Sequence, residues 1–255
     1  MKKIIYSIIE TFLRNKGVKT TISGIELRLP VRFYKYYPKD YEGENIAFFR
    51  REVKDGDFVI DIGAQLGLMT KIFSDLVGNN GKVFAFEPTP ETFHYFLETI
   101  AINGLSKNVI PYQKAVADRN TSAFFKVSEH SVDASNSLIP FNDDISNEEV
   151  KVDVISIDNF VEANNIPRIN FAKIDAEGAE YLVLKGLQRT ISRDRPKINL
   201  ALHPGAVEKF GGSLNEIYDF IVANEYAVIY KSSIISKERF LNIDDLFDVQ
   251  LLPRE

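Results

Sequence analysis

The chain has 255 residues, a net charge of −5 and 45% hydrophobic residues, which suits one large α/β domain with a small extension and a sizeable core. The acidic balance excludes the broad basic face that non-specific nucleic-acid binding needs. The absence of cysteine excludes disulfides, a thiol nucleophile and thiolate-held zinc, and fits a cytoplasmic protein; three histidines, His94, His130 and His203, are too few for a multi-histidine metal site.

Along residues 1–16, Ile4, Ile5, Ile8, Ile9, Phe12 and Leu13 recur at helical spacing. Glu10 and Arg14 interrupt the run, so it is neither a signal peptide nor a membrane span. Two uses stay open: a helix packed on the domain or on a partner, or a peripheral helix on the inner face of a membrane, with Lys2, Lys3, Arg14 and Lys16 on headgroups. Residues 18–29 alternate around Ser23-Gly24 as a hairpin. Residues 32–41 read as an irregular surface loop whose Tyr34, Tyr36, Tyr37 and Tyr41 either face a substrate or cover a core edge.

A helix over 44–53 precedes a βα alternation. Strands are expected at 58–62, 83–86, 109–112, 170–174, 197–202 and 226–230. Helices are expected over 66–77, after the Thr89 N-cap with Phe93, Phe96, Leu97 and Ile100 buried, over 158–164 and 179–187, and from Leu214 behind the Ser213–Glu216 capping box. Two further strands, 122–127 and 150–155, flank about twenty polar residues, a length that points to a functional loop or a disordered one; as a functional loop, 128–149 would be a lid over the acceptor. This pattern predicts a doubly wound, Rossmann-like α/β sheet: an extension over 1–43 (helix and hairpin) and one domain over 44–255. Ligands of such sheets sit beyond the carboxyl ends of the strands, so the residues there carry the chemistry.

The first strand ends in Asp61-Ile-Gly63-Ala64-Gln65-Leu-Gly67. Its glycines allow close backbone approach, and an acid two positions ahead suits an α-ammonium group better than a pyrophosphate. The second ends in Glu87, placed to accept from two ribose hydroxyls. The third leads to Ala115, small enough to admit an adenine, and to Asp118, which either lines the site or starts a turn. The fourth ends in Asp175-Ala-Glu177-Gly-Ala-Glu180, the densest charge cluster after an apolar strand; Glu180 reads as a favourable charge at a helix start. The fifth ends in His203, either a base or a structural histidine.

The blocks VIDIGAQLGLMTKIF, VFAFEPTPETFHYF, AINGL and KIDAEGAEYLVLKGL, in this order over residues 45–205, resemble the FkbM-type methyltransferases. The resemblance implies the class I methyltransferase fold, S-adenosylmethionine as donor, and O-methylation of sugars, polysaccharides or natural products. It implies that Asp61, Gly63 and Gly67 hold the methionine part and Glu87 the ribose, with Asp175 near the transfer point; Ala64 and Gln65 of the same loop, and Ala115, complete the expected cofactor site. Two departures stand out: Gln65 replaces the usual asparagine, and the strand before His203, Asn199-Leu-Ala201-Leu, lacks an acid often present there.

In-line methyl transfer to a hydroxyl needs alignment and a base. Asp175 or His203 is the expected base, with Glu177 orienting the acceptor. No metal is assigned, because Asp175 and Glu177 alone make a thin ligand set. The expected partner is a hydroxyl-bearing small molecule or glycan, with no nucleic acid. The alternatives are an NAD-dependent oxidoreductase, disfavoured by the missing G-x-G-x-x-G, and a non-catalytic nucleotide-binding module.

Overall fold

The computed structural model describes residues 16–127 and 148–254. The expected N-terminal helix and the central part of the expected lid (128–147) lie outside the described residues. In chain order, the elements begin with β1 (Val18–Ile22), β2 (Ile25–Leu29), α1 (Gly43–Glu52), β3 (Phe58–Ile62), α2 (Leu68–Val77) and β4 (Lys82–Phe86). Next come α3 (Pro90–Asn103), β5 (Val109–Tyr112), β6 (Ala115–Val116), β7 (Thr121–Val127), β8 (Glu148–Ile155), α4 (Ile157–Ala163), β9 (Phe171–Ile174) and α5 (Glu180–Lys185). The remainder is α6 (Gln188–Asp194), β10 (Lys197–Leu202), α7 (Pro204–Val207), α8 (Leu214–Ala223), β11 (Tyr226–Tyr230), β12 (Ser233–Ile234), α9 (Lys237–Leu241) and β13 (Phe247–Pro253).

The central sheet has the order β12-β11-β13-β10-β9-β3-β4-β5. Neighbours from β10 to β5 run parallel, and β13 enters antiparallel between β10 and β11. Strands buried on both faces are near-continuous apolar runs, which is why β3, β10 and β11 are visible in the sequence to their last residue. One face, with Ile60, Ile62, Phe86, Ile174 and Leu200, packs on α4, α5, α6 and α8. The other, with Val59, Val83 and Phe171, packs on the β1–β2 hairpin, α1, α2 and α3. Here the Phe171 ring lies 5.6 Å from those of Phe48, Phe49 and Phe73. Each such buried ring contributes about 1.5–3 kcal/mol. The fold is the α/β Rossmann-like class expected.

Several local expectations are corrected. Leu97 is 40% exposed; Thr92 and Thr99 occupy the buried face of α3 instead. Thr89 precedes α3 without capping it through its side chain; its hydroxyl bonds Glu87. The segment 32–41 is largely the irregular surface loop expected, with Tyr34, Lys35, Pro38, Lys39 and Asp40 exposed, but it opens on a 3-10 turn (Val31–Phe33) and buries Tyr37. The helix expected over 179–187 is shorter, and α6 follows it separately. Strands β7 and β8 leave the central sheet and form a second one with β6. Among the described residues no helix is long and apolar enough to cross a membrane.

Candidate active site

Strand alternation builds the site. Asp61 lies opposite Ala85 and Lys173, and Lys173 opposite Asn199, in one row across the sheet. Two residues further on, the same face presents Gly63, Asp175 and Ala201. Ala201 pairs with Asp248 of β13. The rim therefore carries carboxylates at Asp175 and Asp248 on either side of an alanine, above a row containing a buried lysine.

Lys173 Nζ donates to the carbonyl of Gly63 at 2.9 Å and to Asp175 Oδ2 at 3.2 Å, and lies 3.9 Å from Asp61 Oδ1. Burial would lower its pKa, but Asp175 and Asp61 outweigh burial and raise it, so it stays an ammonium ion. Asp61 is fully buried, and its Oδ2 accepts from Thr70 Oγ1 at 2.5 Å. Burial raises the Asp61 pKa against the opposing pull of Lys173.

The glycine loop is tied to the end of β4, since the Gly63 and Ala64 amides both donate to the Phe86 carbonyl at 3.0 Å. Gly63 has φ +76°, and a Cβ there would stand 2.1 Å from the Asp175 carbonyl oxygen. Backbone on both sides leaves nothing free to move. Gly63→Ala is expected to cost about 2–4 kcal/mol of stability, read as a lower urea midpoint; an unchanged midpoint would refute the close packing of β3 on β9.

Gln65, also left-handed at φ +50°, is gripped by two tyrosines. Its Nε2 donates to Tyr36 Oη at 2.9 Å, and Tyr37 Oη donates to its Oε1 at 3.0 Å. A shorter asparagine would reach them less well, which gives the substitution at this position a structural reason. Tyr36 and Tyr37 thus brace the loop, and Tyr41 lines the cavity.

A cavity of about 240 Å³ opens on this rim, lined among others by Gly63, Gln65, Glu87, Ala115, Asp175 and Glu177. His203 and Asp248 also line it, whereas Asp61, Ala64, Gly67 and Asp118 are not among its lining residues. The Glu87 carboxylate is braced at both oxygens: Oε2 accepts from the Gln65 amide at 3.1 Å and Oε1 from the Thr89 amide at 2.9 Å. Burial pushes its pKa up to about 7 despite these bonds.

Glu177, at φ +49°, and Gly178, at φ +106°, turn the chain from β9 into α5. Non-glycine residues held in this region concentrate at functional sites. Glu180 is fully buried and is no mere helix-start charge. Its Oε1 accepts from the Gly178 amide at 2.9 Å and meets His203 Nδ1 at 2.9 Å. That leaves His203 Nε2 3.2 Å from Glu177 Oε2 and 3.9 Å from Asp175 Oδ1. Burial would lower the His203 pKa; the Glu180 bond and the charges of Glu177 and Asp175 reverse this and raise it to about 9. Burial, with Asp175 adding to it, lifts Glu177 to about 7 against the pull of His203. Asp175, Glu177 and His203 each bring a ligand-capable atom within 4.8 Å of one another, a three-donor set that sequence reasoning, which counted two acids, did not foresee.

Asp248 was missed altogether. Its Oδ1 accepts from Asn199 Nδ2 at 3.1 Å, and it bonds Asn45. Burial, with Glu42 and Asp175 nearby, raises its pKa to about 6. It brings a carboxylate beside Ala201 from the neighbouring strand, on a β10 that has none. The alternation of Phe247, Val249 and Leu251 with polar residues was the available signal.

These features fit a nucleoside-bearing methyl donor. A buried carboxylate braced from behind faces the cavity where a ribose diol would lie, and Phe86, Ala115 and Val116 supply apolar wall beside it.

Residues 61–228 match the family model described as the methyltransferase FkbM domain. The hexuronic acid methyltransferase AglP of Haloferax volcanii is 27% identical over 175 residues, 67% of this chain and 68% of that protein. Methyltransferase 1 of Beauveria bassiana is 29% identical over 149 residues, 52% of this chain and 59% of that protein. In fold, an rRNA methylase from Streptococcus thermophilus superposes with a TM-score of 0.50 at 11% identity, covering 84% of this chain and 96% of that one.

Proposed function

We propose that this chain, which belongs to the FkbM methyltransferase family and takes its methyl group from S-adenosylmethionine, transfers that group to a hydroxyl oxygen of a sugar or sugar-bearing acceptor. The observation that carries the reading is the Glu177–His203–Glu180 chain beside Asp175, at the open side of a cavity whose other side holds Glu87. The likeness to a hexuronic acid methyltransferase supports the sugar class.

S-Adenosylmethionine supplies an electrophilic methyl carbon on a sulfonium, so the protein's share is alignment and proton removal. Glu87 accepts from the ribose hydroxyls, and the glycine loop lets the methionine part lie against backbone. An alcohol gives up its proton as the carbon–oxygen bond forms, and a nearby base must take it. Of the residues considered, Glu177 fits this role best. His203, raised to about 9, is already protonated near neutrality and cannot accept a proton, whereas Glu177 at about 7 is poised to do so. The base role thus moves from Asp175 or His203 to Glu177. His203, fixed by Glu180, becomes the cationic partner that keeps Glu177 ionised enough to act. Asp175, held by Lys173, accepts a hydrogen bond from the acceptor and aims it.

The test is to incubate the full chain with methyl-labelled S-adenosylmethionine and a panel of methyl glycosides, then locate the label by carbon NMR. Label on an ether oxygen is expected. Label on nitrogen or carbon, or donor turnover with no glycoside dependence, would overturn the reading.

A further inference from the structure

Two of the four carboxylates that wall the acceptor side of the cavity have no ion-pair partner among the described residues; Lys173 and His203 answer the other two. Glu42 and Asp248 line the cavity together with Asp175 and Glu177. The supports behind the first two are neutral amides. Asn45 Nδ2 donates to Glu42 Oε2 at 3.2 Å, and Asn45 and Asn199 both bond Asp248. Both asparagines are buried, so the carboxylates are held in place from inside the protein and project to the cavity. Glu42 is further held at φ +48°, a costly conformation for a side-chain-bearing residue, as the first step into α1.

The cations lining the cavity, among the described residues, are all already paired. Lys173 is held by Asp175, Asp61 and the Gly63 carbonyl. Lys114 pairs with Asp153 at 3.2 Å. His203 faces Glu180, Glu177 and Asp175. Among the described residues no arginine lines the cavity. A bound carboxylate beside Glu42 and Asp248 would meet like charges, which opposes its binding. Hydroxyls and ammonium groups instead meet carboxylates that can accept from them.

We infer that the acceptor is a neutral or amino sugar and not a uronic acid, with Asp248 and Glu42 as the residues that grip its hydroxyls and set this preference. The inference rests on the sugar methyltransferase reading above and goes beyond it, since the hexuronic acid relative implies the opposite charge. Asp248 reaches this position because β13 sets it beside Ala201, whose small side chain leaves the carboxylate uncovered on the rim.

The experiment uses the full chain saturated with S-adenosylhomocysteine, titrated by calorimetry with three ring-matched probes: methyl glucoside, methyl glucosaminide and methyl glucuronide. The first two are expected to bind at least about tenfold more tightly than the third. Asp248→Asn, and independently Glu42→Gln, should each narrow that gap by weakening the neutral probe and strengthening the uronide. Two variants on separate elements guard against one of them failing to fold. Equal or tighter binding of the uronide, no binding of any probe, or an unchanged gap in both variants would overturn the inference. Failure of S-adenosylhomocysteine itself to bind would instead strike the donor reading beneath it.

Discussion

Glu177→Gln is expected to slow methyl transfer by about 10²–10⁴-fold, the usual weight of a positioned general base, while S-adenosylmethionine still binds. The amide keeps the size and the left-handed backbone of the native residue but cannot take a proton. The pH profile separates this from a structural defect. In the wild type, rate rises as pH passes about 7, where Glu177 loses its proton, and falls beyond about 9, where His203 loses its own. The first limb belongs to the base, the second to the imidazolium that faces it at 3.2 Å. The glutamine variant should lose the rise near 7 from whatever rate remains. Glu180→Gln tests the support behind the pair: with a weaker partner at Nδ1, His203 holds its proton less firmly, and the alkaline limb should move to lower pH. Wild-type turnover in Glu177→Gln would remove it as base. A cation held by Asp175, Glu177 and His203 would lower the hydroxyl pKa by another route. Turnover abolished by EDTA and restored by magnesium assigns the trio to that role; turnover indifferent to EDTA leaves it with the proton.

The sheet was legible because its parallel strands carry their own boundaries. Phe58–Ile62 and Lys197–Leu202 are apolar runs closed by turn residues, and both stand at those limits. The strand-end rule then pointed at Gly63, Glu87, Asp175, Glu177 and His203, and all five meet around one cavity. What escaped was non-local. Glu180, next to a helix start, has a local explanation in the helix dipole, and only the fold reveals that its carboxylate reaches His203, 23 residues away. Asp248 escaped because nothing in Phe247–Pro253 tells that this last strand inserts between β10 and β11 rather than adding at an edge. Gln65 looked like a relaxed version of a familiar asparagine until Tyr36 and Tyr37 were seen to close on it. Leu97 failed for the opposite reason: the buried stripe of α3 is narrower than its apolar residues suggest, and two threonines complete it.

Donor binding should release a proton, and Glu87 should be its source. In the free protein burial holds this carboxyl up to about 7, so at pH 6 it is largely protonated. Two ribose hydroxyls donating to the carboxylate favour its ionised form and draw the pKa down. Below about pH 7 the complex then carries fewer protons than the free protein, and affinity falls as pH falls, approaching about tenfold per pH unit for one linked proton. Calorimetry at pH 6 in buffers of different ionisation enthalpy should show that release, and at pH 8.5 the contribution from Glu87 should vanish. Glu87→Gln should abolish the release seen at pH 6. The same variant forfeits hydrogen bonds to a charged acceptor, each worth about 1.5–3 kcal/mol, so a loss of affinity on the order of 10²-fold is expected. The sign of the stability effect follows from the same shift. A carboxyl raised from 4.5 to about 7 by folding contributes stability that is fully present below 4.5 and lost as pH rises towards 7. The free protein should therefore melt lower at pH 7.5 than at pH 5.5 on account of this residue, and saturating donor should narrow that difference. A glutamine variant that binds as tightly as the wild type, with the same proton release, would place the ribose somewhere other than Glu87.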